Sequence, residues 1–241
     1  MLNIPQICQM TAPLMDCADV IGLCLMGSYA AGDANELSDL DIGVFFEDEA
    51  TALPEISWPF AHDLWIIDRN HREKWSRECG WQASAFLWAR MLYDRDGRAE
   101  QYLQKIITAK EPSRALLAER WDDYLNGLYR SLKYHRKGVE HGHRACAAES
   151  VLRFCEALFW ENGFVAPLPG RELVSMARLH LRVMPDDEQM VLLTQILRDG
   201  DPDTQAALFA HTEAFLIARG YQFLLDAWEG LIHLEIGRIA P

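Results

Sequence analysis

Two aspartates alternate with aliphatic residues in the segment Asp39–Val44, and this alternation is the strongest constraint on the fold. Successive side chains of a β-strand point to opposite faces, so the three aliphatic residues are expected to face a core. Asp39 and Asp41 would then lie side by side on the other face. The alternative, a helix N-cap with a solvated turn, is disfavoured because β-branched and aromatic residues follow at once.

The paired carboxylates predict a metal site. Two carboxylates this close repel each other unless a cation lies between them. Hard oxygen ligands without histidine or cysteine suit magnesium rather than zinc. We therefore expect Asp39 and Asp41 to bind Mg²⁺.

A glycine and a serine follow the apolar run Val20–Met26, which predicts a buried strand. Gly27 lacks a Cβ, so that the backbone can approach a ligand closely. Ser28 is expected to open a short helix, with Ala30–Leu37 as its body, and its hydroxyl and the free N–H groups suit phosphate oxygens. A phosphate cradle beside a carboxylate pair predicts phosphoryl or nucleotidyl transfer, in which two metal ions ~3.5–4 Å apart can bind the attacking and leaving oxygens.

The rest of the pattern predicts an α+β protein: a small mixed β-sheet head with flanking helices, followed by an all-helical tail. Besides Val20–Met26, the head has a predicted helix at Ile4–Cys17, strands at Asp41–Phe46, Asp63–Ile67 and Met91–Tyr93, and a loop at Thr51–Pro59. The tail has predicted helices at Ser113–Lys137, Cys146–Trp160, Arg171–His180, Asp186–Arg198, Thr204–Ala218 and Tyr221–Ile236. We expect two domains, 1–110 and 111–241, divided near Lys110–Ser113.

The stretch LMGSYAAGDANELSDLDIGVFF, Leu25–Phe46, resembles the signature of the polymerase-beta-type nucleotidyltransferase superfamily. That signature is a hydrophobic strand, Gly-Ser, a short helix, and Asp-x-Asp on the next strand. The resemblance implies that Gly27 and Ser28 contact the nucleotide phosphates. It also implies that Asp39 and Asp41 bind two Mg²⁺ ions, and that ATP or another nucleoside triphosphate is the substrate. Chain length and the change from strands to helices are similar to the small-molecule branch, which includes aminoglycoside and lincosamide nucleotidyltransferases.

A third metal-binding acid on a later strand is implied by the same resemblance. Asp63 is the candidate, because it leads the strand predicted at Asp63–Ile67. Asp68 is the alternative, but it lies five positions on and would face the opposite side of the strand's far end. Trp65, in the same strand, is assigned to packing.

In some antibiotic-modifying relatives a glutamate of the helical domain acts as the general base, and Glu149 is the candidate here. It opens the helix predicted at Cys146–Trp160. The competing interpretation is a surface ladder of ion pairs, because Glu149, Arg153 and Glu156 have helical spacing.

Lys133 is the candidate contact from the helical domain to the triphosphate. It belongs to a basic cluster with Arg130, Arg136 and Lys137. The alternative is a solvated face whose cations are favourable near a helix C-terminus.

The formal net charge of −13 opposes a long nucleic-acid substrate, which needs a basic track, and fits a cationic acceptor. No apolar stretch reaches the ~20 residues of a membrane span, and a signal-peptide pattern is absent at Met1. The six scattered cysteines are expected to be reduced thiols. We therefore expect a cytoplasmic protein that does not enter a membrane.

The leading hypothesis is Mg²⁺-dependent transfer of AMP from ATP to a hydroxyl of a small, cationic acceptor, with release of pyrophosphate, as in antibiotic-modifying enzymes. Two alternatives use the same scaffold: an enzyme that places AMP on a protein side chain, and a non-catalytic nucleotide-binding sensor. Neither the acceptor nor the transferred base is fixed by the sequence. A homodimer with shared active sites, as in some relatives, also stays open.

Overall fold

The computed structural model describes residues 2–56, 58–59, 61–75, 81–108, 112–164, 173, 175–176, 181–183 and 185–238. The chain divides into two compact units, Met1–Lys110 and Glu111–Pro241. None of the helices in these described segments is both long enough and apolar enough to span a bilayer.

A mixed four-stranded sheet forms the centre of the N-terminal unit, with strand order β3-β2-β1-β4. Strand β1 runs antiparallel to β2 and β4, whereas β2 and β3 are parallel. The strands are β1 (Val20–Leu25), β2 (Leu40–Phe46), β3 (His62–Ile67) and β4 (Arg90–Asp94). The predicted mixed sheet is confirmed, and each strand lies within one residue of its predicted bounds.

Five helices flank this sheet in the described part of the unit: α1 (Ile4–Met15), α2 (Gly27–Ala31), α3 (Arg69–Trp75), α4 (Trp81–Ser84) and α5 (Arg98–Ile107). Helix α1 begins at a capping box in which the side chains of Asn3 and Gln6 accept from each other's backbone N–H. Its residues Ile7 and Leu14 pack into one core with alternate residues of β2. The aliphatic face that the alternation predicts for β2 therefore lies in the core that α1 also enters.

The prediction of a helix at Ala30–Leu37 is wrong. The helix is α2, Gly27–Ala31, and it ends at Gly32, which has the left-handed conformation (φ 78°) typical of a helix C-terminus. The chain then turns, and the Asn35 side chain accepts a hydrogen bond from the backbone N–H of Leu37 at 2.8 Å. Asn35 favours such a turn over a helix because its side chain competes for backbone N–H groups.

The described part of the C-terminal unit is helical, as predicted. Its main helices are α6 (Arg114–Arg136), α7 (Glu140–Glu161), α8 (Asp187–Asp199), α9 (Pro202–Ala218), α10 (Gln222–Ala227) and α11 (Leu231–Gly237). Helices α6 and α7 pack along each other. Trp121 of α6 meets Phe154 of α7 edge to face, with 5.6 Å between ring centroids.

Two helix predictions in this unit need correction. The single helix predicted at Tyr221–Ile236 is divided into α10 and α11, because Glu229 (φ 47°) and Gly230 (φ 72°) both have left-handed backbone conformations. Helix α7 begins at Glu140 rather than at Cys146, so Glu149 lies within the helix and does not open it. The helix predicted at Arg171–His180 falls largely outside the described residues.

Candidate active site

Three aspartates meet where the parallel strands β2 and β3 begin. Asp39 precedes β2, Asp41 is the second residue of β2, and Asp63 is the second residue of β3. One carboxylate oxygen from each residue lies within 4.8 Å of the other two. In the described part of the chain, this is the one group of acidic, histidine or cysteine side chains with spacing suited to a metal ion.

The parallel pairing of β2 and β3 explains why these acids meet. Asp41 lies directly opposite Asp63 in the register of the two strands, so both side chains point to the same face. Asp39 is two residues before Asp41 and shares that face. Asp39 and Asp63 are exposed, whereas Asp41 is half-buried.

Asp68, the alternative third acid, has a different environment. Its carboxylate accepts from the backbone N–H of His71 at 3.0 Å and lies 2.8 Å from His71 Nδ1. Burial alone would raise the pKa of Asp68, but the contacts with His71 outweigh it and hold the pKa below its usual value. The structure therefore places Asp63 with the other two aspartates and Asp68 at the start of α3.

Gly27 lies directly against the Asp41 carboxylate. Its backbone is left-handed (φ 59°), and a Cβ at this position would overlap Asp41 Oδ2. The sequence predicted that Gly27 gives a ligand access to the backbone. The structure adds a second reason for glycine, which is that any side chain here would displace Asp41.

The Ser28 hydroxyl is a buried polar atom that has no hydrogen-bond partner among the described residues. A buried hydroxyl left in this condition costs about 1–3 kcal/mol. A ligand oxygen at this position would remove the cost. Ser28, which follows Gly27 in the chain, therefore has a hydroxyl available to an acceptor group of a ligand.

Trp65 also contacts this cluster. Its indole Nε1–H donates a hydrogen bond to Asp41 Oδ1 at 3.3 Å. The sequence assigned Trp65 to packing alone, but it stands two residues after Asp63 and therefore shares the face of the acids. The alternation of side chains along β3 could therefore have predicted, from the sequence, that Trp65 lies on the face of the acids.

The donor set fits a hard divalent cation. The three side chains offer only carboxylate oxygens, and such oxygens suit Mg²⁺ rather than a soft metal. Three negative groups at this spacing also repel one another, and a cation removes that repulsion. Asp39, Asp41 and Asp63 are accordingly the residues that would hold the ion.

The other two predicted site residues belong to the C-terminal unit. Glu149 is an exposed residue of α7. In the proposed ladder, Arg153 pairs with Glu156 at 3.0 Å. The role of Glu149 as a base stays a prediction.

Lys133 is half-buried in α6, with its Nζ 5.4 Å from the centre of the Tyr129 ring. Arg136, from the same basic cluster, donates two hydrogen bonds to the buried Glu235, at 2.9 and 3.2 Å. At least one member of the cluster therefore stabilises the packing of α6 with α11. The contact of Lys133 with a triphosphate stays a prediction.

Comparison with known proteins gives one family match. Residues 14–113 match the model of the nucleotidyltransferase domain family, and this segment includes all three aspartates of the cluster. None of the curated proteins matches the sequence. Among solved structures, the chain is similar to a nucleotidyltransferase-like protein from Exiguobacterium sibiricum, at 11% identity and a TM-score of 0.45, with 97% of this chain and 79% of that chain covered.

Proposed function

We propose that the protein transfers AMP from ATP to a hydroxyl of a small, cationic acceptor, because residues 14–113 match the nucleotidyltransferase domain family. The reaction requires Mg²⁺ and releases pyrophosphate. The observation that carries this proposal is the meeting of Asp39, Asp41 and Asp63 within 4.8 Å, against the turn at Gly27.

The acids and the serine have separate tasks in this mechanism. Asp39, Asp41 and Asp63 would hold the metal, and Mg²⁺ bound there would supply positive charge to the triphosphate oxygens. The buried hydroxyl of Ser28 donates a hydrogen bond to a phosphate oxygen, which satisfies an otherwise unpartnered group. Together they fix the triphosphate for in-line attack.

The transfer step forms one bond and breaks one. The acceptor oxygen attacks the α-phosphorus of ATP, and the bond from that phosphorus to the bridging oxygen breaks, so that pyrophosphate leaves. The proton of the acceptor hydroxyl goes to a general base, for which Glu149 is our candidate. Lys133 is our candidate for a further phosphate contact from the helical unit.

The overall charge supports a cationic acceptor. The chain carries a formal net charge of −13, which attracts a cation and repels a polyanion. Long nucleic acids are therefore poor acceptors, because their binding depends on neutralising phosphates with basic side chains. We assign acceptor binding to the helical unit, 111–241.

The test is transfer of label from each of four α-³²P nucleoside triphosphates to a panel of acceptors. The panel contains aminoglycosides, lincosamides and neutral polyols of similar size. We expect ATP to label an aminoglycoside in the presence of Mg²⁺, and Asp41→Asn to abolish the product. Labelling of neutral polyols alone would reject the cationic acceptor.

The same labelled nucleotides also distinguish the two alternative functions. Labelled protein bands after incubation with a cell lysate, without a labelled small molecule, would indicate a protein AMP-transferase. Tight ATP binding without transfer to any acceptor would indicate a nucleotide sensor. Either result would overturn the proposal of a small acceptor.

A further inference from the structure

The Asp41 carboxylate is contacted on two sides by groups that are not acids. Its Oδ1 accepts the hydrogen bond from Trp65 Nε1, at 3.3 Å. Its Oδ2 lies where Gly27 has no side chain. The carboxylate is therefore bounded by the indole at one oxygen and by the Gly27 backbone at the other.

The strand register explains how Trp65 reaches this position. Trp65 pairs with Gly43 of β2, and Asp41 is two residues before Gly43 on the same face. The indole therefore extends diagonally from β3 towards Asp41. The space beside Gly43 is filled by other side chains, since a Cβ there would lie 2.6 Å from Cys24 Sγ and 2.9 Å from Ile67 Cδ1.

Trp65 is itself held by aromatic packing. Its ring meets the buried ring of Phe86 edge to face, with centroids 6.4 Å apart and planes at 84°. Phe86 in turn packs against the buried ring of Trp75, at 5.4 Å. Edge-to-face contacts of this kind restrict the orientation of a ring, so the indole N–H keeps a fixed direction.

A fixed donor matters here because the three carboxylates repel one another. This repulsion favours rotation of the Asp41 side chain away from Asp39 and Asp63 when no cation is bound. A hydrogen bond to a metal-binding carboxylate orients it and reduces the ordering that the metal has to impose.

We propose that Trp65 is a positioning residue of the metal site, and that its indole N–H holds the Asp41 carboxylate in the orientation required for metal binding. This inference rests on the proposed metal-dependent function. Trp65 does not touch the reacting atoms in this account. It acts through Asp41.

The test is Mn²⁺ binding, measured by the EPR signal of the free ion, on the full chain without any turnover. Trp65→Phe keeps the aromatic ring and removes the donor. We expect it to bind Mn²⁺ about 10-fold more weakly than wild type, a loss typical of groups that orient a metal ligand. Trp75→Phe is the matched control, since Trp75 packs against the same Phe86, and we expect wild-type affinity from it.

A second measurement does not require any Trp65 variant to fold. The chain has eight tryptophans. NOEs to the Phe86 ring without NOEs to the His71 ring identify the Trp65 indole in a ¹H–¹⁵N spectrum, because Trp75 contacts both of those rings. We expect its Nε1–H proton to move upfield in Asp41→Ala, because the acceptor is lost. An unchanged resonance would overturn the proposal, as would wild-type Mn²⁺ affinity in Trp65→Phe.

The Asp41→Asn variant distinguishes a failure of the positioning role of Trp65 from a failure of the metal site itself. If Asp41→Asn abolishes Mn²⁺ binding and Trp65→Phe leaves it unchanged, the positioning role is wrong and the metal site stands. If wild type binds Mn²⁺ no better than Asp41→Asn, the proposed metal-dependent function is itself wrong. Trp65→His, which restores a ring N–H donor, should recover part of the affinity that Trp65→Phe loses.

Discussion

Gly27 and Asp41 occupy adjoining space, so that a side chain on the first would overlap a carboxylate oxygen of the second. The glycine of the Gly-Ser turn and the second acid of the Asp-x-Asp pair thus form a single local arrangement. With Asp41 in this position, any residue other than glycine at position 27 would displace the carboxylate. The turn that we propose binds phosphate therefore also limits where the Asp41 carboxylate can lie.

The first prediction concerns Gly27→Ala, with Gly32→Ala as control. Both glycines have positive φ (59° and 78°), so each substitution should cost about 1 kcal/mol in the free energy of unfolding. A Cβ at Gly32 meets nothing within 4 Å, whereas one at Gly27 overlaps Asp41. We therefore expect only Gly27→Ala to lower transfer activity, by about 100-fold for a displaced carboxylate. Denaturant unfolding and initial rates measure the two effects, and equal activity losses in both variants would contradict this account.

A second prediction compares the two candidates for the third acid. Asp63→Asn should lower kcat by about 100-fold or more, because one of three charges at the metal is lost. Asp68→Asn should leave kcat nearly unchanged, since Asp68 contacts His71 at the start of α3. The reverse order of the two variants would move the metal site to Asp68.

Asp68 also predicts a dependence of stability on pH. Contacts with His71 hold its pKa below the usual value, so its contribution to stability is present above the pKa of the unfolded chain, about 3.9. That contribution is lost as the pH falls through the lower, folded-state pKa. Thermal unfolding of wild type and Asp68→Asn between about pH 3 and 7 should therefore differ more at neutral than at acidic pH. Parallel curves would show that Asp68 titrates normally.

The candidate base gives a fourth prediction. Glu149→Gln should lower kcat by about 100-fold with little change in KM for ATP, because proton transfer is lost and nucleotide binding is kept. Glu156→Gln is the control, since Glu156 pairs with Arg153 at 3.0 Å and its loss should affect stability alone. If Glu149→Gln has wild-type kcat, another group takes the proton.

The strands could be predicted because their side-chain alternation is local information. The alternation predicted that one face of β2, with Leu40, Ile42 and Val44, lies in the core. It therefore also predicted that the acids lie on the opposite face. The third acid was expected from the family resemblance, and the alternation rule only favoured Asp63 over Asp68. The meeting of Asp63 with Asp41 depends on the parallel register of β2 and β3, which the alternation does not reveal.

Other features depend on backbone conformation or on long-range pairing, which a pattern does not reveal. A left-handed Gly32 shortened α2, and left-handed residues at Glu229 and Gly230 divided the last predicted helix. The Trp65 hydrogen bond depends on the parallel register of β2 and β3. A tryptophan in an apolar strand indicates packing equally well, so its contact with Asp41 required the structure.

Pyrophosphate release from ATP tests the central claim most directly. Wild type and Asp39→Asn/Asp41→Asn would be compared with and without Mg²⁺, and with and without a mixture of aminoglycosides. The account predicts release that requires both Mg²⁺ and an acceptor, and that vanishes in the double variant. Release that is unaffected by the loss of both aspartates, or no release from wild type under any of these conditions, would contradict it.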